Sequence, residues 1–512
     1  MKVLCNLDSD PRTRTAIFHL RQRKSRRDHA VGEAIFFPSC SFSTRGLLAR
    51  IGPIAGGAIA LLAACAPEAP TVRAADHEPA VALVSAPPAP TVADANTKLG
   101  ELIESAPTSV VAGEQLNVEL LRRFYARHGF APVWTTRQSQ ANSLIDAVLR
   151  AGDHGLAPEL FHANLLRSPA TLPALDRELL LSDAFLSYAD ALARGAMPVE
   201  RRRDDETLTP KPIDVAATLD AAIGSPDPGA LIEALAPTTP TYRLLRQALQ
   251  DSGTGIPVGG KTATTRLREI EVNLERERWL PRRLPADRVW VNIADQRLVL
   301  YRDDLPVFST RVIVGQDARG NQSPELQASI DRIWFNPPWT IPEDIVRNEI
   351  LPKARNDPNY LAQHNLVMLP NGDLQQQAGP YSALGHLLFE MNNRFDVYLH
   401  DTPSKNLFGR DDRRISHGCI RVEDPQKLAA LLMQQSIDAI DQTISTGDTT
   451  QSAPPKPVPV FVVYETAFAD GDDRLQFRAD IYGRDVEIWR YLDPKRRVVA
   501  DREAADRRGR RP

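Results

Sequence analysis

VWVNIADQRLVLYRDDLPVFSTRVIVG, residues 289–315, alternates apolar and polar side chains, with breaks at Ala294-Asp295-Gln296 and at Asp303-Asp304-Leu305-Pro306. A period of two sends successive side chains to opposite faces of an extended chain, so the stretch predicts three short strands in a β-meander. On its N-terminal side the period is different. Between about 100 and 285, apolar residues recur at helical spacing. Leu116, Val118, Leu120, Leu121, Phe124 and Tyr125 form one stripe, Leu144, Ile145, Val148 and Leu149 a second, and RELLLSDAFLSYADALARG (177–195) a third. The change near 286 therefore separates an all-helical domain from a mostly β one. Trp134 and Tyr125, at helical spacing, are expected in the helical core.

Beyond the meander, Ile330, Ile333, Trp334 and Phe335 continue the strand pattern, whereas residues 341–365 are short-helical and punctuated by proline, as expected of an insertion lying over a sheet. Strands return in FDVYLHD (395–401), PVFVVYETAF (459–468) and RLQFRADIYG (474–483). The expected fold is α+β: a helical scaffold at 101–285, then a β-sandwich-like domain at 286–492 with a lid at about 340–392, and a basic, solvated tail at 493–512.

The chain has 512 residues, 42% of them hydrophobic and 25% charged, and a net charge of -3. That balance supplies no field to draw nucleic acid. Residues 45–65, RGLLARIGPIAGGAIALLAAC, run from arginines through an apolar stretch to small residues, the order of an export signal. Leu62-Ala63-Ala64-Cys65 resembles a lipobox, which makes Cys65 a candidate lipidation site and membrane tether; a plain signal or membrane anchor is the alternative. The basic residues before this signal lead to an expected translation start nearer Val31. Residues 66–100, rich in proline and alanine, read as an extended linker. The expected location is the periplasm.

Of Cys5, Cys40, Cys65 and Cys419, only Cys419 lies beyond the signal, so the body has no internal disulfide. A lone cysteine is either a small buried hydrophobe or a reactive thiol. Its neighbours favour the second. In RRISHGCIRVEDP (413–425), an extended HGCIRV would bury Ile420 and Val422 and turn Cys419 and Arg421 to the other side; in FDVYLHD, Tyr398 and His400 leave the face of Phe395, Val397 and Leu399. Asp424-Pro425 then opens a helix, with Asp424 as N-cap. An imidazole that takes the thiol proton generates a nucleophile for acyl transfer, and backbone N–H groups at Gly418-Cys419 are candidate oxyanion donors. A zinc site is disfavoured, because His417 and Cys419 are one residue apart and no fourth ligand presents itself.

His400, fifteen intervening residues (401–415) and Ser416-His417-Gly418-Cys419 resemble the signature of the L,D-transpeptidases of the YkuD type. RFYARHGFAPVW, VNIADQRLVLY, NPPWTIPEDIV, AGPYSALG and YETAFADGDDRLQFRADIYGRD are similar to segments of the larger, periplasmic branch with a helical scaffold. The resemblance implies Cys419 as acylated nucleophile and His400 as its base. It further implies Ser416, His417 and Gly418 as site-lining, Asp401 as orienting the imidazole through its carbonyl, and Arg421, Tyr398, Trp339 and Tyr381 as substrate contacts. Trp334 and Trp339 would serve equally as core. The implied reaction cleaves peptidoglycan stem peptides at an L,D bond, without metal or other cofactor, and forms 3-3 cross-links by a monomeric enzyme that carbapenems would target. Trimming of stems, or attachment of a protein to the wall, would use the same acyl-enzyme; a non-catalytic wall-binding protein is the reading from another class. Two departures bear on the substrate. Residues 246–271 leave no room for the peptidoglycan-binding module of larger relatives, and Ser382 and Asn321-Gln322-Ser323-Pro324 replace more usual residues.

Overall fold

The computed structural model describes residues 92–104, 109–252, 263–318 and 320–494. The expectations placed on the signal, on Cys65, on most of the linker and on nearly all of the basic tail lie outside these residues; the described end of the expected linker is corrected, since it belongs to a helix, Val92–Glu104. No helix among the described residues is long and apolar enough to cross a membrane.

The N-terminal domain includes the helices α1 (Val118–Arg127), α2 (Ala174–Arg194) and α3 (Ala263–Arg278), with others packed around them. Helix α1 starts where the Asn117 side chain accepts the Leu120 N–H, and it buries Val118, Leu120, Leu121, Phe124 and Tyr125 as its spacing requires. Leu116 belongs elsewhere. It ends a two-stranded hairpin, Ser109–Val111 with Glu114–Leu116, turned by Ala112 and Gly113 at φ +50° and +87°. The scaffold is thus helical with one small hairpin, which three-residue strands are too short to announce by period.

Helix α2 is apolar on nearly every side and is surrounded. Its buried polar groups are matched: Glu178 accepts the Val133 and Trp134 N–H groups, and Asp183 pairs with His162 at 2.7 Å. Trp134 and Tyr125 are buried in this core.

In the second domain the strands are β1 (Arg288–Asn292), β2 (Arg297–Arg302), β3 (Leu305–Gly315), β4 (Leu326–Phe335), β5 (Leu387–Met391), β6 (Leu399–His400), β7 (Ile420–Val422) and β8 (Val458–Val463). The meander β1-β2-β3 forms as the alternation predicts, with β3 longer than expected at 11 residues. The order continues β5-β6-β7-β3-β2-β1-β8-β4, and β4 pairs with β5 again. Both faces of the expected sandwich therefore belong to one sheet closed on itself, which leaves no free edge between first and last strand. Val291, Leu300, Val312, Phe389, Ile420 and Val462 fill its interior.

Strand β8 shows how the domains join. Val460 and Val462 point into the barrel, while Phe461 and Val463, on the opposite face, belong to the scaffold core. The hairpin Ala467–Ala469 with Leu475–Phe477 and the helix Asp485–Leu492 follow, and Ala467, Ile488 and Leu492 also pack into that core. After β8 the chain is therefore shared: Tyr464 and Tyr482 stay in the barrel core, the Tyr482 hydroxyl donating to the Gly315 carbonyl at 2.5 Å, while the last helix packs on the scaffold. A polar seam adds to this. Arg484, fully buried, donates to Glu325 at 2.8 Å, to Asp205 at 2.9 Å and to the Ser323 carbonyl at 3.0 Å. Glu206 of the scaffold bridges Glu325 of the barrel in parallel β fashion, with Thr207 N–H on the Glu325 carbonyl and Glu325 N–H on the Asp205 carbonyl.

The lid has its own small core of Ile341, Ile345, Ile350, Leu366 and Leu374, beneath a three-stranded sheet of Trp339–Thr340, Leu374–Gln376 and Leu366–Met368. Its expected end at 392 is too late. Leu387–Met391 is a barrel strand, because its apolar side chains fill the barrel interior.

Candidate active site

Strand β7 runs parallel to β6 with Leu399 opposite Ile420 and His400 opposite Arg421. Leu399 and Ile420 face the barrel core, so His400 and Arg421 face out on the other side, one step along from Cys419. The diagonal span between such positions, roughly 7–8 Å, is within reach of an aromatic ring. Only two residues of FDVYLHD are strand. Asp396 turns at φ +52°, and Phe395 and Val397 leave the alternation to line a cavity described below.

Cys419 is buried yet belongs to none of the apolar core clusters. Its sulfur lies 3.9 Å from the Asp396 carbonyl. Burial pushes the thiol up; the Tyr398 backbone N–H and the Arg421 charge act in the opposite sense. His400 is buried as well. Burial, followed by Arg421, lowers it to about 4, against the pull of the Asp401 and Leu384 carbonyls. The ring is therefore neutral at physiological pH. Its Nδ1 lies 2.6 Å from the Asp401 carbonyl, an acceptor only, so Nδ1 carries the hydrogen and Nε2 the lone pair. Neutral thiol and neutral imidazole form the resting pair, and a proton must pass between them as the sulfur attacks.

Asp401 is fixed in turn. Its carboxylate accepts the His386 N–H at 2.8 Å and the Thr402 N–H at 2.7 Å and pairs with Lys405 at 2.7 Å. Gly385 makes room for it at φ +60°, where a Cβ would stand 2.4 Å from that carboxyl group. Gly418 has φ +113°, a conformation that requires glycine. The Ser416 hydroxyl donates to the Cys419 carbonyl at 2.6 Å and accepts the Gly418 N–H at 3.2 Å. That corrects one expectation: the Gly418 N–H holds the turn together and is not aimed at an oxyanion. Ser323 Oγ donates to the Gly418 carbonyl at 2.7 Å and accepts the Gly315 N–H at 2.9 Å.

The Arg421 side chain makes no hydrogen bond or ion pair with the described residues, and burial lowers its pKa while the Cys419 sulfur opposes that shift. An unpaired guanidinium beside the nucleophile suits an anionic or carbonyl group on a substrate. Asp424 stands at the N-cap of the helix Pro425–Met433, but its carboxylate takes the Thr310 hydroxyl at 3.0 Å and caps no N–H.

Of the expected substrate contacts, Tyr398 adjoins Cys419 through the β6/β7 pairing, its carbonyl accepting the Ile420 N–H at 3.0 Å. Trp339 packs on the lid core and Tyr381 stands exposed on the lid, and neither lines the cavity beside the catalytic motif. Trp334, also left open between core and platform, is buried, with its indole N–H on Glu390 at 2.8 Å. Ser382 is buried at the base of the lid.

Two contributors were not legible in the sequence. Glu349 of the lid pairs with His417 Nε2 at 2.7 Å, both side chains being half exposed. The scaffold supplies Arg203, Asp204 and Asp205 to one wall of a cavity of about 660 Å³, completed by Gly320, Gln322, Pro324, Phe395, Val397, His417 and Gly418. Glu349 is carried by a five-residue π-helical segment, Val346–Ile350, a local irregularity; nothing in the sequence around 203–205 signals the second.

Residues 119–249 match the family model described as a scaffold domain, and residues 286–460 match the L,D-transpeptidase catalytic domain model, YkuD. A Haemophilus influenzae protein named "Putative L,D-transpeptidase" is 29% identical over 398 residues, 72% of this chain and 78% of that protein. A solved structure titled "Structure of the Ldtfm-avibactam carbamoyl enzyme" matches 35% of this chain and 49% of its own at 12% identity and a TM-score of 0.19. The chain thus carries, behind a scaffold domain, a catalytic domain of the YkuD family of L,D-transpeptidases.

Proposed function

We propose that the protein forms 3-3 cross-links between peptidoglycan stem peptides through an acyl-enzyme on Cys419. One observation carries this reading: the β6/β7 register brings a buried thiol, a neutral imidazole oriented by Asp401, and an unpaired arginine to one face of the barrel. In the first half-reaction His400 Nε2 takes the thiol proton as the sulfur attacks the carbonyl carbon of the L,D bond. The C–N bond breaks, the imidazolium returns the proton to the leaving D-alanine amine, and a thioester remains. A second stem's amine then attacks the thioester, His400 takes its proton, and the thiolate leaves and is reprotonated. Arg421, held close by, offsets the charge that develops on sulfur and holds the stem. Water in place of the amine gives trimming, and an amine on a wall-attached protein gives attachment; neither has an observation of its own in its favour. The lipobox supports a lipidated, membrane-tethered, periplasmic enzyme.

Intact-mass measurement after adding a carbapenem tests the acyl-enzyme. The expected result is one covalent adduct per chain, absent in Cys419→Ser and reduced at least 100-fold in rate in His400→Gln. Folded protein that takes up no adduct would leave only a wall-binding role. Muropeptide analysis of stems incubated with the enzyme then reads cross-linking against trimming.

A further inference from the structure

The cavity between the domains has no part in the acylation step as written, yet it ends at the catalytic motif. His417 and Gly418 form one wall, and the Phe395–Val397 segment connects it to the nucleophile, since the Asp396 carbonyl lies 3.9 Å from the sulfur. Its volume, about 660 Å³, is that of a site for a peptide end or small molecule. The facing wall comes from the scaffold and is rigidly set: residues 205–207 are held to Glu325 by the two backbone hydrogen bonds of the parallel bridge, and Arg394, stacked on Phe395, donates to the Asp204 carbonyl.

Of the three charged scaffold residues that line the cavity two cancel, and Arg394, whose guanidinium is engaged with the Asp204 carbonyl and the Phe395 ring, is not among the lining residues. Arg203 and Asp205 neutralise each other at 2.9 Å, and Asp205 also binds the buried Arg484. Asp204 is exposed, and its carboxylate makes no hydrogen bond or ion pair with the described residues. It leaves the cavity with an anionic group above an apolar floor of Phe395, Val397 and Pro324. Such a lining attracts a primary ammonium carried on an aliphatic stem.

Resting on the acyl transfer reading, we infer that this cavity seats the acceptor, a peptide bearing a free primary amine, and that Asp204 of the scaffold draws in its ammonium group. The scaffold is then a positioning element of the second half-reaction. The attraction acts on capture of the acceptor, and the proton is lost to His400 only when the amine reaches the thioester.

The test uses the full chain, a tetrapeptide stem as donor and a diaminopimelate-bearing peptide as acceptor. Acyl-enzyme formation with a carbapenem is read first in every variant, as a check that the site is intact; if the unaltered protein forms none, the acyl transfer reading fails and not this one. Asp204→Asn is expected to raise the acceptor KM about 5-fold and to divert product toward hydrolysis, Asp204→Lys to do so further, and Asp204→Glu to restore it. The difference between the unaltered protein and Asp204→Asn should vanish near 1 M salt, where an exposed charge is screened within about 3 Å. An unchanged ratio of aminolysis to hydrolysis in Asp204→Lys overturns the inference, as does a loss of acylation equal to the loss of cross-linking.

Discussion

His400 is opposed across the β6/β7 ladder by Arg421, and the two make unequal demands on one proton. Burial and the adjacent guanidinium hold the imidazole at about 4, well below the ordinary histidine value, while burial raises the thiol. A base of this kind is already unprotonated at pH 6, where an ordinary histidine would be mostly charged. The rate of acyl-enzyme formation should therefore stay level as pH falls from 7 to about 5 and decline as His400 protonates near 4. Arg421→Gln removes a charge that disfavours the imidazolium, so its acid limb should move to higher pH, toward 6.5, with a lower plateau from the lost support of the thiolate. Rates of carbapenem acylation from pH 4 to 8 provide the check. An acid limb near 6.5 in the unaltered protein would mean that the ring is solvated and that Arg421 does not govern it. Burial matters to the base strength and could not be read from sequence, which gives the identity of the pair but not the medium around it.

At the scale of elements, the lid and the catalytic motif meet in one ion pair. Glu349 lies in the π-helical segment Val346–Ile350, and its carboxylate reaches His417 at 2.7 Å from a lid that otherwise packs on its own small core. Half-exposed pairs contribute about 0.2–1 kcal/mol, too little to affect global stability and enough to bias an opening motion. Glu349→Gln should therefore speed amide exchange in the lid helices Leu351–Asn356 and Tyr360–Gln363 by up to about 5-fold, with exchange in β3 and β4 unchanged. Equal exchange in the two proteins would show that the lid core alone keeps it in place. The elements legible in the sequence are those with a sustained local period: the meander, helix α2, and the strand that leads out of the HGC turn. The lid boundary is not legible at LLFEM, because four apolar residues around Glu390 look alike in a lid core and in a barrel strand, and the partner, β4, separates the two. The contribution of Asp204 to the cavity is not legible at all, since Gln322 and His417, which line the same cavity, come from another domain.

Over the whole molecule, the join between scaffold and barrel carries titratable groups in unusual states, and they give stability a definite dependence on pH. Glu206 is pushed up to about 9 by burial and by the Glu325 carboxylate, so the folded seam holds a proton that the unfolded chain releases near 4.5. Burial lifts Glu271 to about 7. In the scaffold, burial opposes the charge on His162, but Asp183 and Glu114 outweigh it and raise the ring to about 9. For all three the folded value lies above the unfolded one, so their stabilising effect is complete at low pH and is lost as pH rises through the folded value. His154, lowered to about 3 by burial and then by Arg246 and Arg278, and His400 work the other way, losing stability as pH falls from 6.5. Between pH 6.5 and 9 only the first set acts, and the sign is unambiguous. Each group that holds an extra proton in the folded state contributes a slope of up to about 1.4 kcal/mol per pH unit, and a domain of 150–250 residues shifts by about 2–4 °C per kcal/mol. Calorimetry should show Tm falling by several degrees from pH 6.5 to 9, with a shallower fall in Glu206→Gln, whose amide has no proton to lose. A fall equally steep in Glu206→Gln and in the unaltered protein would mean that Glu206 is ionised within the seam, balanced there by Arg202, Arg276 and Arg484, which surround it.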